Sequence, residues 1–221
     1  MNVRLISSST PIEGLGIANL QELIAYCARV SNPSNQHNSE TSEKLLMYLL
    51  KHKHWSPFET VSACLEITST RDIARQVLRH RSFSFQEFSQ RYADPTKDLD
   101  FVIREARLQD QKNRQASIET SDLALKDWWE EQQSELKEKA KSIYAAAIAK
   151  GIAKEQARAV LPEGMTESKI YMAGSIRSWI HYIQIRTEVA TQKEHREVAI
   201  ACAKAIEPIF PMIVNFVAPE V

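Results

Sequence analysis

Glycine is scarce in this chain, with five residues in 221, and so is cysteine, with three. Charge of either sign is not in excess, since 28 Lys and Arg face 28 Asp and Glu. Each shortage excludes something. Gly14 and Gly16 make a G-x-G, but the third position of a dinucleotide fingerprint holds Asn19, and neither Gly-Lys-Ser nor Gly-Lys-Thr is present for a phosphate-cradling loop. A nucleotide bound here must be gripped by side chains rather than by glycine backbone. Cys27, Cys64 and Cys202 are odd in number and widely spaced, which supports neither a disulfide framework nor a four-cysteine zinc site, so no metal is expected. A neutral chain argues against a surface built wholly for the phosphate backbone. The opening MNVRLISSST has no apolar core for a signal peptide, and the late run from Pro208 to Ala218 is too short to span a bilayer, so a cytoplasmic protein is expected.

What is present reads as a soluble globular composition, 43% hydrophobic and 25% charged, of a length that suits one domain over residues 1–221. Val3 and Leu5 suggest a short first strand, and Ala18 to Val30 carries helical apolar spacing. A second helix is expected from Ser39 to near Trp55. Val61, Ala63, Leu65 and Ile67 alternate with polar neighbours as a strand with one solvated face, and Thr70 is placed to cap the helix that follows. Further strands are expected at Asp100–Ile103 and Ile170–Ala173. Ser121 to Lys150 reads as a long helix with an apolar stripe through Leu125, Trp128, Trp129, Leu136, Ile143 and Ala147, stopped by Gly151. A shorter helix covers Lys154 to Val160 and another Ser175 to Glu188, and a Thr191-x-x-Glu194 capping box opens the last. Helices and separated strands in irregular order indicate an α+β fold.

Charge is balanced globally but not locally. From Arg71 to Arg91 there are five arginines, no lysine, and only Asp72 and Glu87 in opposition. Arginine fits a bidentate fork onto phosphate and stacks on aromatic planes. Helical spacing puts Gln76 on one face with Arg79 and His80, and an extended Ser84–Arg91 segment would present Glu87, Ser89 and Arg91 together. Two alternatives stand beside a nucleotide site: a salt-bridged surface over packed Phe83, Phe85 and Phe88, and a module that stacks single-stranded nucleic acid on arginines and aromatics. The cysteines fall on apolar stripes or a strand and read as small core residues, while His37, His52 and His195 lie in polar surroundings and read as solvated.

Arg79-His80-Arg81-x(2)-Ser84-x(4)-Ser89-x-Arg91 fills all six fixed positions, over thirteen residues, of the signature of the flavin-dependent thymidylate synthases, which the chain closely resembles. Ala28-Arg29-Val30-Ser31, His54-x-Ser56-Pro57-Phe58-Glu59, Ala157-Arg158-x-x-Leu161-Pro162 and Arg177-x(8)-Arg186-x(5)-Gln192-x-Glu194 are similar to further elements of that family, and residues 95–150 carry no landmark. The resemblance implies a small antiparallel sheet with packed helices, and a homotetramer with active sites shared between subunits. It implies conversion of dUMP to dTMP with 5,10-methylenetetrahydrofolate as carbon donor and NADPH as reductant through FAD. Carried over, Ser31, His54, Ser56, Arg79, His80, Arg81, Ser175, Arg177 and His181 would hold FAD, with Glu87 shared. Gln76, Arg79, Glu87, Ser89, Arg91, Arg158 and Arg186 would hold dUMP, with Arg186 as the catalytic residue. His181 stands where some members have asparagine.

Overall fold

The computed structural model describes residues 1–219. Four strands, β1 (Asn2–Ser8), β2 (Ser62–Thr70), β3 (Ser84–Glu87) and β6 (Glu167–Ser175), form an antiparallel sheet in the order β1-β2-β6-β3. Two short strands, β4 (Arg107–Gln109) and β5 (Ser117–Glu119), make a separate hairpin. The helices are α1 (Leu20–Ala28), α2 (Ser42–Lys51), α3 (Arg71–Val77), α4 (Pro95–Asp98), α5 (Leu123–Ala149), α6 (Lys154–Ala157), α7 (Ile176–Arg186) and α8 (Lys193–Ile206). This is the α+β architecture the sequence implies.

The period-two pattern of β2 decides which face is buried. Ala63, Leu65 and Ile67 are buried on one side, where Met172 and Ile170 of β6 lie directly opposite Leu65 and Ile67. Helices α7 and α8 pack on this face with Trp179, Ile183, Val198 and Cys202 fully enclosed. Each such apolar side chain contributes about 1.5–3 kcal/mol by leaving water. On the opposite face Glu66 is not solvated as the alternation suggests. Arg4 of β1 donates to it at 2.8 Å and Tyr171 of β6 at 2.7 Å, which holds its carboxyl below the usual range and leaves it 5% exposed. A second, smaller cluster of Phe101, Tyr144, Ala157, Leu161 and Met165 joins α5 and α6 to the start of β6.

Helix boundaries follow local chemistry. Asn19 caps α1 by accepting from the Glu22 N–H at 3.0 Å, and the Glu22 carboxylate accepts from the Ala18 N–H in return. Asp122 caps α5 the same way toward Leu125. Gly151, at φ +84°, terminates α5 as expected.

Several expectations are corrected. Asp100–Ile103 is not a strand: only Phe101 bridges to Thr166, and the N–H groups that would extend the ladder go elsewhere, that of Met165 to the Pro162 carbonyl at 3.1 Å and that of Asp100 to the Glu167 carboxylate at 3.2 Å. Thr70 precedes α3 but does not cap it, because its hydroxyl donates to Asp72 and accepts from Arg104. The Thr191–Glu194 box does not form either. The Thr191 hydroxyl donates to the Ile185 carbonyl, Glu194 is held by Arg107 and Gln192, and α8 starts after Gln192. The second helix is shorter than expected, Ser42–Lys51, and Lys154–Val160 is a short α-helix continued as a 3₁₀ turn. The expected stripe of α5 is largely exposed, with Trp128, Leu136 and Ile143 all above two-fifths accessible, and its buried residues are Gln133, Ala140 and Tyr144. Cys202 is fully buried, whereas Cys27 and Cys64 are only partly so.

Candidate active site

The arginine-rich segment runs from α3 to the turn after β3 and is folded against α7, α8 and β6. Helix α3 ends at Val77, and Arg79 and His80 continue it only as a turn. That turn exposes Arg79 and Arg81 and buries His80 between them. The His80 Nε2 accepts a hydrogen bond from the Arg186 Nε at 2.9 Å, so its proton sits on Nδ1. Burial, then the charge of Arg186, then His181 lower the pKa of His80 to about 4. A neutral imidazole thus orients the guanidinium at the end of α7.

His195 is a correction. It is not solvated but fully buried in the first turn of α8, with Nδ1 at 3.1 Å from the Gln76 Oε1. Burial first, then Arg186 and His80, lower its pKa to about 3. Its ring lies 6.4 Å from that of His80 and 5.8 Å from that of Tyr182. The Gln76 Nε2 donates to the Gln192 Oε1 at 2.8 Å, and the Gln192 Nε2 to Glu194 at 2.9 Å. Glu194 also pairs with Arg107 of β4.

These two histidines set an acid limit on stability. Their folded pKa values lie below the ordinary 6.5, so the unfolded chain binds protons that the native state refuses, and stability falls as pH drops from about 6.5 toward 4 and 3. The urea midpoint is expected to be lower at pH 5 than at pH 7.5, with a shallower decline in His195→Asn; equal midpoints at the two pH values in the unaltered protein would contradict it.

The remaining substrate candidates form a second group. β3 ends at Glu87, which accepts from the Ser168 hydroxyl at 2.8 Å and from Arg71 at 3.4 Å. Beyond it the chain turns, because the Ser89 carbonyl accepts from the Tyr92 and Ala93 N–H groups, so Glu87, Ser89 and Arg91 do not share one extended face. Helix α6 approaches this turn: Glu155 pairs with the Arg91 Nε at 3.3 Å and Lys154 donates to the Tyr92 carbonyl at 2.7 Å. Arg158 immediately follows α6, and so belongs to the same region.

Two of the flavin candidates, Arg177 and His181, line a cavity of about 250 Å³ together with Trp55, Ser82, Ser178, Ile180 and Gln184. Arg177 pairs with Glu59 of the 3₁₀ turn Ser56–Glu59, which brings Ser56 beside α7. His54 precedes that turn and is exposed, as is Ser31 after α1. Ser175 is occupied as the cap of α7, accepting from the Ser178 N–H at 3.2 Å. Ser178 and Gln184 were missed in the sequence. Gln184 shares the i, i+4, i+7 face with Arg177 and His181, a spacing that would have found it.

Among the described residues, the site candidates Arg79, Arg81, Arg158 and Arg186 have no carboxylate within ion-pair distance, as is also true of Arg29, Arg114 and Arg196, whereas Arg71, Arg75, Arg91, Arg104 and Arg177 each have one and Arg107 has two. Uncompensated guanidinium groups next to side-chain donors are suited to anions. Phe83 and Phe85 of the segment are core residues and not a stacking platform. Phe83 packs edge-on against Trp179 at 4.8 Å, and Phe85 lies against the core. No group of three or more His, Cys, Asp or Glu that could hold a metal exists among the described residues, and no helix there is long and apolar enough to cross a membrane.

Comparison with known proteins identifies the family and the fold. Residues 17–212 match the family described as thymidylate synthase complementing protein. A probable flavin-dependent thymidylate synthase of Paramecium bursaria Chlorella virus 1 is 50% identical over 214 residues, covering 96% of this chain and 97% of its own. The flavin-dependent thymidylate synthase of Synechocystis is 49% identical over 216 residues, with the same coverage. The crystal structure of a UMP/dUMP methylase, PolB from Streptomyces cacaoi, bound with 5-Br dUMP, has the same fold. Its TM-score is 0.80 at 24% identity, over 97% of this chain and 93% of that one. The chain belongs to the flavin-dependent thymidylate synthase family.

Proposed function

We propose that this protein, a single domain over residues 1–221, is a flavin-dependent thymidylate synthase that methylates dUMP to dTMP, with 5,10-methylenetetrahydrofolate as carbon donor and NADPH as reductant. The observation that carries the reading is the Arg186 guanidinium, which has no carboxylate partner among the described residues and is held by the buried neutral His80, together with a cavity lined by Arg177 and His181. FAD, when bound, supplies the redox chemistry. The residues present fit it: Arg177, His181 and Ser82 offer donors, while Trp55 and Ile180 offer apolar walls. Arg79, His80, Arg81, Ser31, His54, Ser56, Ser175 and Glu87 complete the proposed flavin set.

The phosphate of dUMP is assigned to Arg91, Arg158 and Ser89, and the rest of the nucleotide to Gln76, Arg79, Glu87 and Arg186. Arg186, pinned by His80, is the catalytic residue: a fixed cation beside the uracil edge favours negative charge on N3 and O2 and so raises the nucleophilicity of C5. No thiol is needed at C6. Burial pushes the Cys64 and Cys202 thiols up, away from the reactive thiolate.

Two features support the reading as a homotetramer with shared sites. The cavity of about 250 Å³ is smaller than the ≈ 300–1,000 Å³ usual for ligand clefts. Helix α5 also displays Trp128, Trp129, Leu136 and Ile143 with nothing over them among the described residues. Three free cysteines suit a reducing, cytoplasmic setting. The test is direct. Purified protein is expected to be yellow, to have about four times the 25.2 kDa chain mass, and to release tritium from 5-tritiated dUMP with NADPH and methylenetetrahydrofolate. A colourless protein that takes up no FAD and releases no tritium overturns it.

A further inference from the structure

We propose that His195 is a positioning residue that holds the Gln76 amide in one orientation, as an N–H donor to an oxygen of dUMP. The inference rests on the reading of Gln76 as a substrate ligand and goes beyond it. No family element includes His195, and its neighbours in sequence give no hint that it is enclosed.

The orientation can be derived from one end of a hydrogen-bonded chain. Arg107 pairs with Glu194, which fixes that carboxylate as an acceptor. Gln192 must then turn its Nε2 toward Glu194, and its Oε1 is left to face Gln76. Gln76 accordingly offers Nε2 to Gln192 and Oε1 to His195. An amide oxygen only accepts, so the Nδ1 of His195 must carry the proton. The other tautomer would set two lone pairs against each other at 3.1 Å and bury an N–H on Nε2, which has no partner among the described residues. Buried unpaired donors are rarer and costlier than unpaired acceptors.

Polarity is therefore determined along Arg107, Glu194, Gln192, Gln76 and His195, and each member is required to define the next. The amide of Gln76 has two N–H groups. One is used by Gln192, and the other has no partner among the described residues on a side chain that is only half-buried. It is this second N–H that is offered to the substrate. Without the proton on the His195 Nδ1, the amide keeps only its bond to Gln192 and loses one of the two that oppose its 180° flip, and the flipped form presents an oxygen to the oxygen of the substrate. His195 also explains why a charged histidine is not wanted here: burial and the neighbouring Arg186 keep it neutral across the range in which dUMP is a dianion.

The experiment uses the FAD-bound enzyme and titrates dUMP by calorimetry, alongside steady-state rates. Gln76→Ala tests the starting reading, His195→Leu removes the donor while filling the space, and His195→Asn restores an N–H near the position of Nδ1. The expected result is a five- to tenfold weaker dUMP affinity in His195→Leu, the scale of one neutral hydrogen bond. It should come with a raised KM for dUMP, kcat at saturation within twofold of the unaltered enzyme, and unchanged FAD affinity; His195→Asn should recover most of the loss. If Gln76→Ala binds dUMP normally, the substrate reading of Gln76 falls and the inference with it. If Gln76→Ala is weakened while His195→Leu binds normally, or if His195→Leu and His195→Asn lose equally, the inference alone is overturned. Nitrogen-15 shifts of the His195 ring give an independent check: an Nδ1–H tautomer supports the proposal and an Nε2–H tautomer overturns it.

Discussion

Arg186→Ala is expected to lower the rate of dTMP formation by about 10²–10³-fold, the usual loss when a pre-set group that stabilises developing charge is removed. Arg186 has one hydrogen bond, from Nε to His80, and no carboxylate near it among the described residues, so the rest of the guanidinium is free to face a ligand. A flexible cation would lose part of its effect to reorganisation, and the His80 contact is what prevents that. The alanine variant should still fold, since His80 remains buried and neutral by desolvation, the largest cause of its lowered pKa. Arg186→Lys keeps the charge but not the planar fork, so its rate should lie between the two. Tritium release from 5-tritiated dUMP under saturating substrates measures the effect, with circular dichroism as the control for folding. A folded Arg186→Ala enzyme within threefold of the unaltered rate would refute the assignment.

Gly174→Ala is expected to destabilise the protein by about 1–3 kcal/mol, the range for overfilling a packed site. A Cβ on Gly174 would lie 2.4 Å from the Phe83 Cδ1 and 2.7 Å from its Cε1, closer than carbon atoms approach. The ring cannot simply swing aside, because Trp179 is packed edge-on at 4.8 Å and the Trp179 Nε1 is tied to the Ala63 carbonyl at 3.1 Å. Phe83 follows Ser82, whose carbonyl accepts from the Ser178 hydroxyl and which lines the cavity. Displacement of the ring should therefore weaken FAD binding as well as lower Tm, by about 2–4 °C for each kcal/mol in a chain of this size. The double variant Gly174→Ala with Phe83→Leu should lose less than the sum of the single losses, since the smaller side chain relieves the clash. Additive losses would show that the close approach is not the cause.

Much of the fold was legible because the signals were local. The alternation in β2, the stop at Gly151 and the helical spacing of Ile176, Trp179, Ile180 and Ile183 each depend on a few neighbouring residues. The failures share a different cause. Thr70, Thr191 and Glu194 have the right identity and spacing to cap helices, but the neighbouring Asp72 and Ile185 and the distant Arg104 and Arg107 compete for the same atoms. His195 looks solvated among Lys193, Glu194 and Arg196, yet its face of α8 is turned onto α3, and only tertiary packing determines that. The segment 95–150 carried no recognisable motif because, apart from Phe101 and Tyr144 in the second apolar cluster, its long-range contacts are ion pairs: Arg104 holds Asp72, Arg107 holds Glu194, and Glu105 and Glu119 hold Lys193 at 2.6 and 2.9 Å. Such pairs leave no period in the sequence.

The strand order β1-β2-β6-β3 also has a consequence for how the protein comes into being. β2 is paired with β1 on one edge, but its other partner is β6, with Ser62 opposite Ser175. A ribosome making about 5–20 residues per second leaves roughly 5–20 s between the emergence of β2 and that of its second partner. For that interval the apolar face formed by Leu65 and Ile67 has no α7 or α8 to cover it, and the edge of β2 is open to any extended chain nearby. Until β6 emerges, that edge and face are open to off-pathway pairing that the finished sheet no longer permits.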